Sequence, residues 1–295
     1  MNRLSYLIFR IFLVILKVIP FFLLYAFAKL LYILMFYIVK YRRKVVYNNL
    51  SGSFPEKDET EINQISKRFY KHLSEIFVES VKGFSMSEKS FEKRYKITGH
   101  EVAQKYLDQG RTVIALAGHY GNWEWGIETA ARVFSHKVIA LYQPLTNPII
   151  DKYLTAKRRK GGMYLVPVFE TRNSFEEGVE TPSLIIMAAD QSPPTLKKSI
   201  WVKFLNRETA CMYGPEHYSQ KYNTPIVYFD VQRVKRGYYT LEIKEFLENP
   251  GKTKPGTVTK LYMNTLEKII LNKPENWLWS HKRWKHKIPN ENEQL

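Results

Sequence analysis

Residues 18–39 form a run of 22 with a single charge, Lys29. A helix needs about 20 residues to cross the hydrocarbon core of a bilayer. A globular core rarely hides a helix of that length on every face, so the chain is expected at a membrane. Pro20 falls near the start of the run, where a helix tolerates it. A lysine at mid-span costs about 2.5–3.5 kcal/mol on insertion scales, and less if its side chain snorkels. Upstream, Arg3, Arg10 and Lys17 recur every seven residues, roughly opposite Ile8, Phe12 and Ile15. Residues 1–17 can therefore lie in the interface as an amphipathic helix instead. A cleaved signal peptide fits less well. The apolar run is too long, and its one Ala-x-Ala match, Ala26-Phe27-Ala28, lies inside the run. Lys40, Arg42, Arg43 and Lys44 follow the run and favour a cytoplasmic position for what comes after. The expected division is a membrane anchor over 1–41 and one further domain over 42–295.

Beyond residue 55 the pattern alternates. Residues 56–82 read as a helix, with Ile62, Ile65, Phe69, Leu73, Ile76 and Phe77 at helical spacing. A short helix over 101–109 stops at Gly110. Strands are expected over 112–117, 137–141, 164–168, 183–189 and 199–204, with helices over 148–160 and 213–222. A hairpin over 225–231 and 239–243 precedes a final helix ending near 271. Strands that alternate with helices imply an α/β fold. The formal net charge of +17 calls for an anionic partner: nucleic acid, an acidic membrane surface or a phosphorylated substrate. The single cysteine, Cys211, excludes an internal disulfide framework and a four-cysteine zinc site.

The strand over 112–117 runs into Gly118-His119-Tyr120-Gly121-Asn122 and then a helix. Side chains at the carboxyl end of such a strand face the ligand crevice of an α/β sheet. Glu124 follows His119 by five residues. On one continuous helix the two would point about 140° apart. They meet if His119 sits in the turn and Glu124 in the first helical turn, a geometry that the two glycines allow. A carboxylate beside an imidazole makes a general base. The competing reading is a histidine that caps its own helix beside an exposed glutamate. The chain has no Gly-x-Ser-x-Gly elbow, Walker loop, Gly-x-Gly-x-x-Gly or His-Glu-x-x-His motif.

The segment from Trp277 through Trp279 and Trp284 to Lys287 mixes aromatic and basic residues. It can bind single-stranded nucleic acid. With an apolar run in the same chain, a belt at the lipid headgroups is favoured over that. The third reading is a basic tail whose tryptophans close the core.

Together these residues resemble the late (secondary) acyltransferases of lipid A biosynthesis, within the glycerolipid acyltransferase superfamily. His119-Tyr120-Gly121-Asn122-Trp123-Glu124 matches the superfamily's His-x4-Asp/Glu motif. Asn49-Leu50 with Phe54-Pro55, and Tyr142-Gln143-Pro144 with Asn147-Pro148 and Asp151, look like family segments. The ending from Pro274-Glu275 to Lys285 resembles the family's Pro-Glu…Trp-x-His-Arg-Arg-Phe-Lys. Arg158 falls at a functional arginine and Asp190 on a second acidic motif. There are departures. Gln143 stands for an arginine, Asp190-Gln191-Ser192-Pro193-Pro194 replaces Asp-x-Asp-Tyr-Gly, and the stretch 171–183 is short where many relatives carry a full helix.

The resemblance implies a central, mainly parallel sheet flanked by helices, with an N-terminal membrane helix. It implies transfer of a fatty acyl chain from acyl-carrier protein to a hydroxyl of a lipid A precursor at the cytoplasmic face of the inner membrane. His119 is then the base and Glu124 its partner. Arg158, Asp190, Gly118 and Asn122 are the expected substrate contacts. No metal and no cofactor beyond the thioester are required, and Cys211 is not a nucleophile. The expected partners are acyl-carrier protein, a membrane glycolipid and an anionic membrane surface, with no nucleic acid. The rivals are acyl transfer to an aminolipid or another glycolipid, on oxygen or nitrogen, and a non-catalytic basic membrane protein.

Overall fold

The computed structural model describes residues 2–288. A seven-stranded sheet forms its centre. Its strands are β1 (Tyr95–Thr98), β2 (Val113–Ala117), β3 (Lys137–Tyr142), β4 (Met163–Pro167), β5 (Ser183–Ala188), β8 (Ile226–Lys235) and β9 (Tyr238–Leu247). Across the sheet they lie in the order β1-β9-β8-β2-β5-β3-β4. Strands β8, β2, β5, β3 and β4 run parallel, while β9 and β1 run against them. A separate hairpin joins β6 (Ile200–Phe204) and β7 (Arg207–Cys211). The α/β reading with a mainly parallel sheet therefore describes the protein.

The central strands are buried on both faces, which is why they read as unbroken apolar runs. Every residue of β2 is buried. Alternate side chains feed two cores. Ile114, Leu116, Ile185 and Tyr228 pack toward α11 (Thr257–Asn272) and the C-terminal tryptophans. Val113, Ala115, Leu184 and Phe229 pack toward α6 (Glu101–Asp108) and Trp125.

Helix α4 (Glu59–Gly83) carries the layer that meets the N-terminal segment. It starts with a reciprocal cap between Asp58 and Glu61, which satisfies two backbone donors at once. The apolar run is one continuous helical stretch from Phe21 to Ile38, separated by Pro20 from a helix before it. Helix α1 (Asn2–Val18) stops, and Pro20 caps a new helix, α2 (Phe21–Ile33), which continues through a π turn at Leu34–Ile38. Pro20 lacks an N–H, and its ring collides with the carbonyl four residues back. The Lys82 ammonium donates to the freed carbonyls of Leu16 and Ile19, at 2.5 and 2.8 Å. Residues Phe21–Ile38 remain long and apolar enough to cross a membrane.

Leu24, Ala28 and Tyr32 of α2 are buried, at the four-residue spacing of one helix face. Phe22, Phe27, Leu30 and Ile38 stay exposed. Helix α1 lies on α8 (Pro148–Lys160): the rings of Tyr6 and Phe9 meet the edge of Tyr153, and Arg10 stacks over it. The seven-residue spacing of Arg3, Arg10 and Lys17 falls partly outside the described residues, since the side chains of Arg3 and Lys17 are not described.

Elements that the sequence hid are α3 (Arg43–Ser53), α5 (Glu88–Arg94), β1, β7 and α9 (Thr171–Glu180). Helix α9 fills the stretch that the sequence comparison marked as short. The C-terminal tryptophans do not form a headgroup belt. Trp277, Trp279 and Arg283 are at most 2% exposed, and they close the core beneath the carboxyl end of β2. Asn49 of α3 fastens this segment by donating to the carbonyls of Trp279 and His281, at 2.9 and 2.8 Å. Cys211 is buried under Arg283, which donates to its sulfur at 3.3 Å.

Candidate active site

Strands β2 and β5 are parallel neighbours, and Ala117 pairs with Ala188. Two residues further along each strand stand His119 and Asp190. The sheet register therefore brings together two side chains that are 71 positions apart. His119 Nδ1 lies 2.6 Å from Asp190 Oδ1. The His119 backbone N–H donates to Asp190 Oδ2 at 3.0 Å, and the Trp277 indole donates to the same oxygen at 2.8 Å. A Cβ on Gly118 would stand 2.8 Å from Leu266 Cδ1, so glycine lets the β2 exit pass this close to α11.

Asp190 is 1% exposed. Burial pushes its carboxyl up. The charge of His119 and the hydrogen bonds from His119 and Trp277 outweigh this and hold it below the usual range. An ionised Asp190 accepts only, so Nδ1 carries the proton and Nε2 keeps its lone pair. Burial lowers the basicity of the imidazole, but the charge and hydrogen bond of Asp190, with the charge of Glu124, raise it overall. The imidazole is about one-fifth exposed, and it faces a cleft of about 900 Å³. The Gln191 amide sits 3.2 Å from Nε2, where it serves as a donor.

Glu124 lies in the first turn of α7 (Trp123–Ala130) and lines the same cleft. Its partner differs from the expected one. Arg158 of α8 donates to Glu124 Oε2 at 2.5 Å, and the contact that orients the imidazole belongs to Asp190. Local spacing placed the glutamate near the histidine, but its carboxylate pairs with Arg158 of α8. Glu124 still acts on His119 through its charge.

Asn122 is not a cleft residue. It is 0% exposed. Its Oδ1 accepts the Trp125 N–H at 3.0 Å, capping α7, and its Nδ2 donates to Glu79 Oε2 at 2.8 Å. Glu79, also fully buried, accepts from Tyr25 of α2 and Tyr239 of β9 as well. Gly118 likewise shapes the backbone, and neither it nor Asn122 is among the residues that line the cleft. Gly121, at φ +60°, supplies the left-handed turn between them.

The rest of the cleft mixes charge with apolar surface. Lys198, Lys285 and Arg158 line it with Leu145, Leu165 and Phe169. Gln143 lines it too. Asp151 anchors the loop before α8 by accepting from the Tyr142 hydroxyl and the Leu145 N–H. Gln191, Trp277, Lys198 and Lys285 were not singled out from sequence as site residues. Gln191 and Lys285 lay inside motifs already noted, so their neighbours were the available signal.

A family model described as bacterial lipid A biosynthesis acyltransferase matches residues 2–286. The chain is 24% identical over 277 residues to lipid A biosynthesis acyltransferase 2 of Shigella flexneri, covering 85% of this chain and 80% of that protein. It is 22% identical over 253 residues to the lipid A biosynthesis lauroyltransferase of Escherichia coli (strain K12), covering 84% and 80%.

Proposed function

This chain belongs to the bacterial lipid A biosynthesis acyltransferase family, and from that premise we propose that it moves a fatty acyl chain from an acyl-carrier-protein thioester to a hydroxyl of a lipid A precursor. The observation that carries the mechanism is the imidazole of His119, held by Asp190, with Nε2 facing a charged and apolar cleft. Nε2 takes the proton of the acceptor hydroxyl as its oxygen attacks the thioester carbonyl. The tetrahedral intermediate collapses, the C–S bond breaks, and the imidazolium returns its proton to the departing thiolate. Asp190 steadies the imidazolium without taking its proton. Arg158 and Gln191 are the cleft's donors for the oxyanion or for an acceptor phosphate.

Residues 1–41 act as the anchor and 42–295 as the catalytic domain. The exposed apolar faces of α1 and α2 seat on the cytoplasmic face of the inner membrane. The +17 charge suits both anionic lipids and an acidic carrier protein.

The test is to supply purified protein in detergent with acyl-carrier-protein thioesters and a sugar-linked lipid A precursor. The expected product gains one acyl chain, and mild alkali releases it. An alkali-stable product would show an amide and move the reading to N-acyl transfer. Thioester consumed without acylated precursor would move it to another acceptor.

Glu124→Gln separates the roles of the two carboxylates. It removes the ion pair with Arg158 and one negative charge near His119. The expected kcat/KM falls roughly tenfold to a hundredfold. His119 is raised partly by Glu124, so the acid limb of the pH–rate profile moves to lower pH. Initial rates across pH check both effects.

A further inference from the structure

Glu79 is a buried carboxylate that the mechanism leaves unused. It sits on α4 and is 0% exposed. Its Oε1 accepts from the Tyr25 hydroxyl at 2.8 Å. Its Oε2 accepts from the Asn122 amide at 2.8 Å and from the Tyr239 hydroxyl at 2.7 Å. Its backbone carbonyl accepts the Trp125 indole N–H at 2.9 Å. A carboxylate away from water is costly unless such donors meet it. Arg233 adds a compensating charge, with its guanidinium bound to Glu75, one turn earlier on α4.

Two of the four donors belong to the start of α7. Asn122 Oδ1 in turn accepts the Trp125 N–H at 3.0 Å, so Glu79, Asn122 and Trp125 form a closed set of hydrogen bonds. The packing is close: a Cβ on Gly83, at the end of α4, would stand 2.7 Å from Trp125 Nε1. His119 lies three residues before Asn122, and Glu124 two residues after it. The cap therefore governs both the turn that carries His119 and the first turn of α7, from which Glu124 acts on the imidazole through its charge. Tyr25 belongs to the apolar helix α2. None of Tyr25, Glu79, Asn122 and Tyr239 lines the large cleft.

We propose that Glu79 and Tyr25 are positioning residues of the acyl transfer: the Glu79 carboxylate holds the Asn122 cap, and with it the turn that carries His119, while the Tyr25 hydroxyl makes that hold depend on the seating of the apolar helix. The proposal rests on the acyl-transfer reading above. Both residues act on kcat through the placement of His119 and Glu124. Removing the Tyr25 hydroxyl leaves Oε1 without its donor inside the protein. An orphaned buried oxygen is costly, so the carboxylate shifts to recover a partner and the cap shifts with it.

The experiment compares Tyr25→Phe with Tyr32→Phe. Both remove a hydroxyl from α2, but that of Tyr32 lies 3.5 Å from the Tyr37 hydroxyl and makes no bond to Glu79. Tyr25→Phe is expected to lower kcat about tenfold to a hundredfold, the scale of a small misplacement of reacting groups, and to leave both substrate KM values unchanged. Tyr32→Phe is expected to leave kcat unchanged. Glu79→Leu is expected to lose at least as much as Tyr25→Phe. Glu79→Gln is expected to recover most of that loss, because the amide oxygen still accepts from Asn122. Adding Tyr25→Phe to Glu79→Leu is expected to cost nothing more, since both break one chain of contacts. Amide hydrogen exchange over residues 118–126, read by mass spectrometry, needs no turnover. Exchange there is expected to quicken in Tyr25→Phe and not in Tyr32→Phe. Faster exchange supports the coupling even where wild type transfers no acyl group, a result that counts against the acyl-transfer reading alone. Unchanged exchange and kcat in Tyr25→Phe, a loss that falls on KM, or a Glu79→Gln variant as impaired as Glu79→Leu would overturn the proposal.

Discussion

Changing Asp190 to asparagine is expected to lower kcat by about 10⁴-fold, the scale of losing the correct imidazole tautomer. The carboxylate accepts from His119 Nδ1, from the His119 backbone N–H and from the Trp277 indole. An amide can present its NH2 to Nδ1. That drives the ring proton to Nε2, the atom that has to accept a proton from the hydroxyl. The charge that raises the His119 pKa is lost in the same step. What activity persists therefore has its acid limb at lower pH, because the base stays neutral further into acid. Asparagine keeps the size of the side chain, so thermal melting measured beside the rates separates lost chemistry from lost fold. A decrease under about tenfold with a normal melting transition would remove Asp190 from the mechanism.

His119→Ala is expected to reduce kcat by about 10² to 10⁴-fold, the range that a positioned general base supplies. Its second signature is qualitative. The wild-type rate rises with pH through a pKa above the ordinary histidine value of 6.5, because only the neutral imidazole accepts a proton. The variant loses that limb. Substrate affinity is largely kept, since Lys198, Lys285 and Arg158 line the cleft independently of the imidazole. A variant that retains both rate and pH dependence would place the base elsewhere.

These two predictions draw on different parts of what the sequence reveals. His119 was legible because strand, turn and helix are local signals: a buried apolar run, two glycines and a capping asparagine within ten residues. Its true partner was not legible from spacing. Asp190 meets the imidazole only because β2 and β5 are parallel neighbours in register. Family resemblance pointed to Asp190, but not to its contact. Glu124 looked closer in sequence and proved to be Arg158's partner.

Elsewhere the misreadings share a cause. Strand β1, only Tyr95–Thr98, is fixed by pairing with β9 and carries no apolar run of its own. The tail tryptophans read as surface because basic residues surround them, yet Asn49 and the Tyr120–Trp277 bridge draw them inward. In each case a tertiary contact overrides local composition.

The buried carboxylate of Glu79 ties several of these parts together. It receives hydrogen bonds from Tyr25 of the N-terminal helix, Tyr239 of the sheet and Asn122 at the cap of α7. Helix α2 is thus fastened to the same layer that sets the turn at His119.

The most direct measurement is the mass of the lipid product formed from a lipid A precursor and an acyl-carrier-protein thioester, by wild type and His119→Ala in parallel. The account predicts a wild-type product heavier by one acyl group and almost none from the variant. Equal product from both proteins, or an unaltered precursor with wild type, would contradict it.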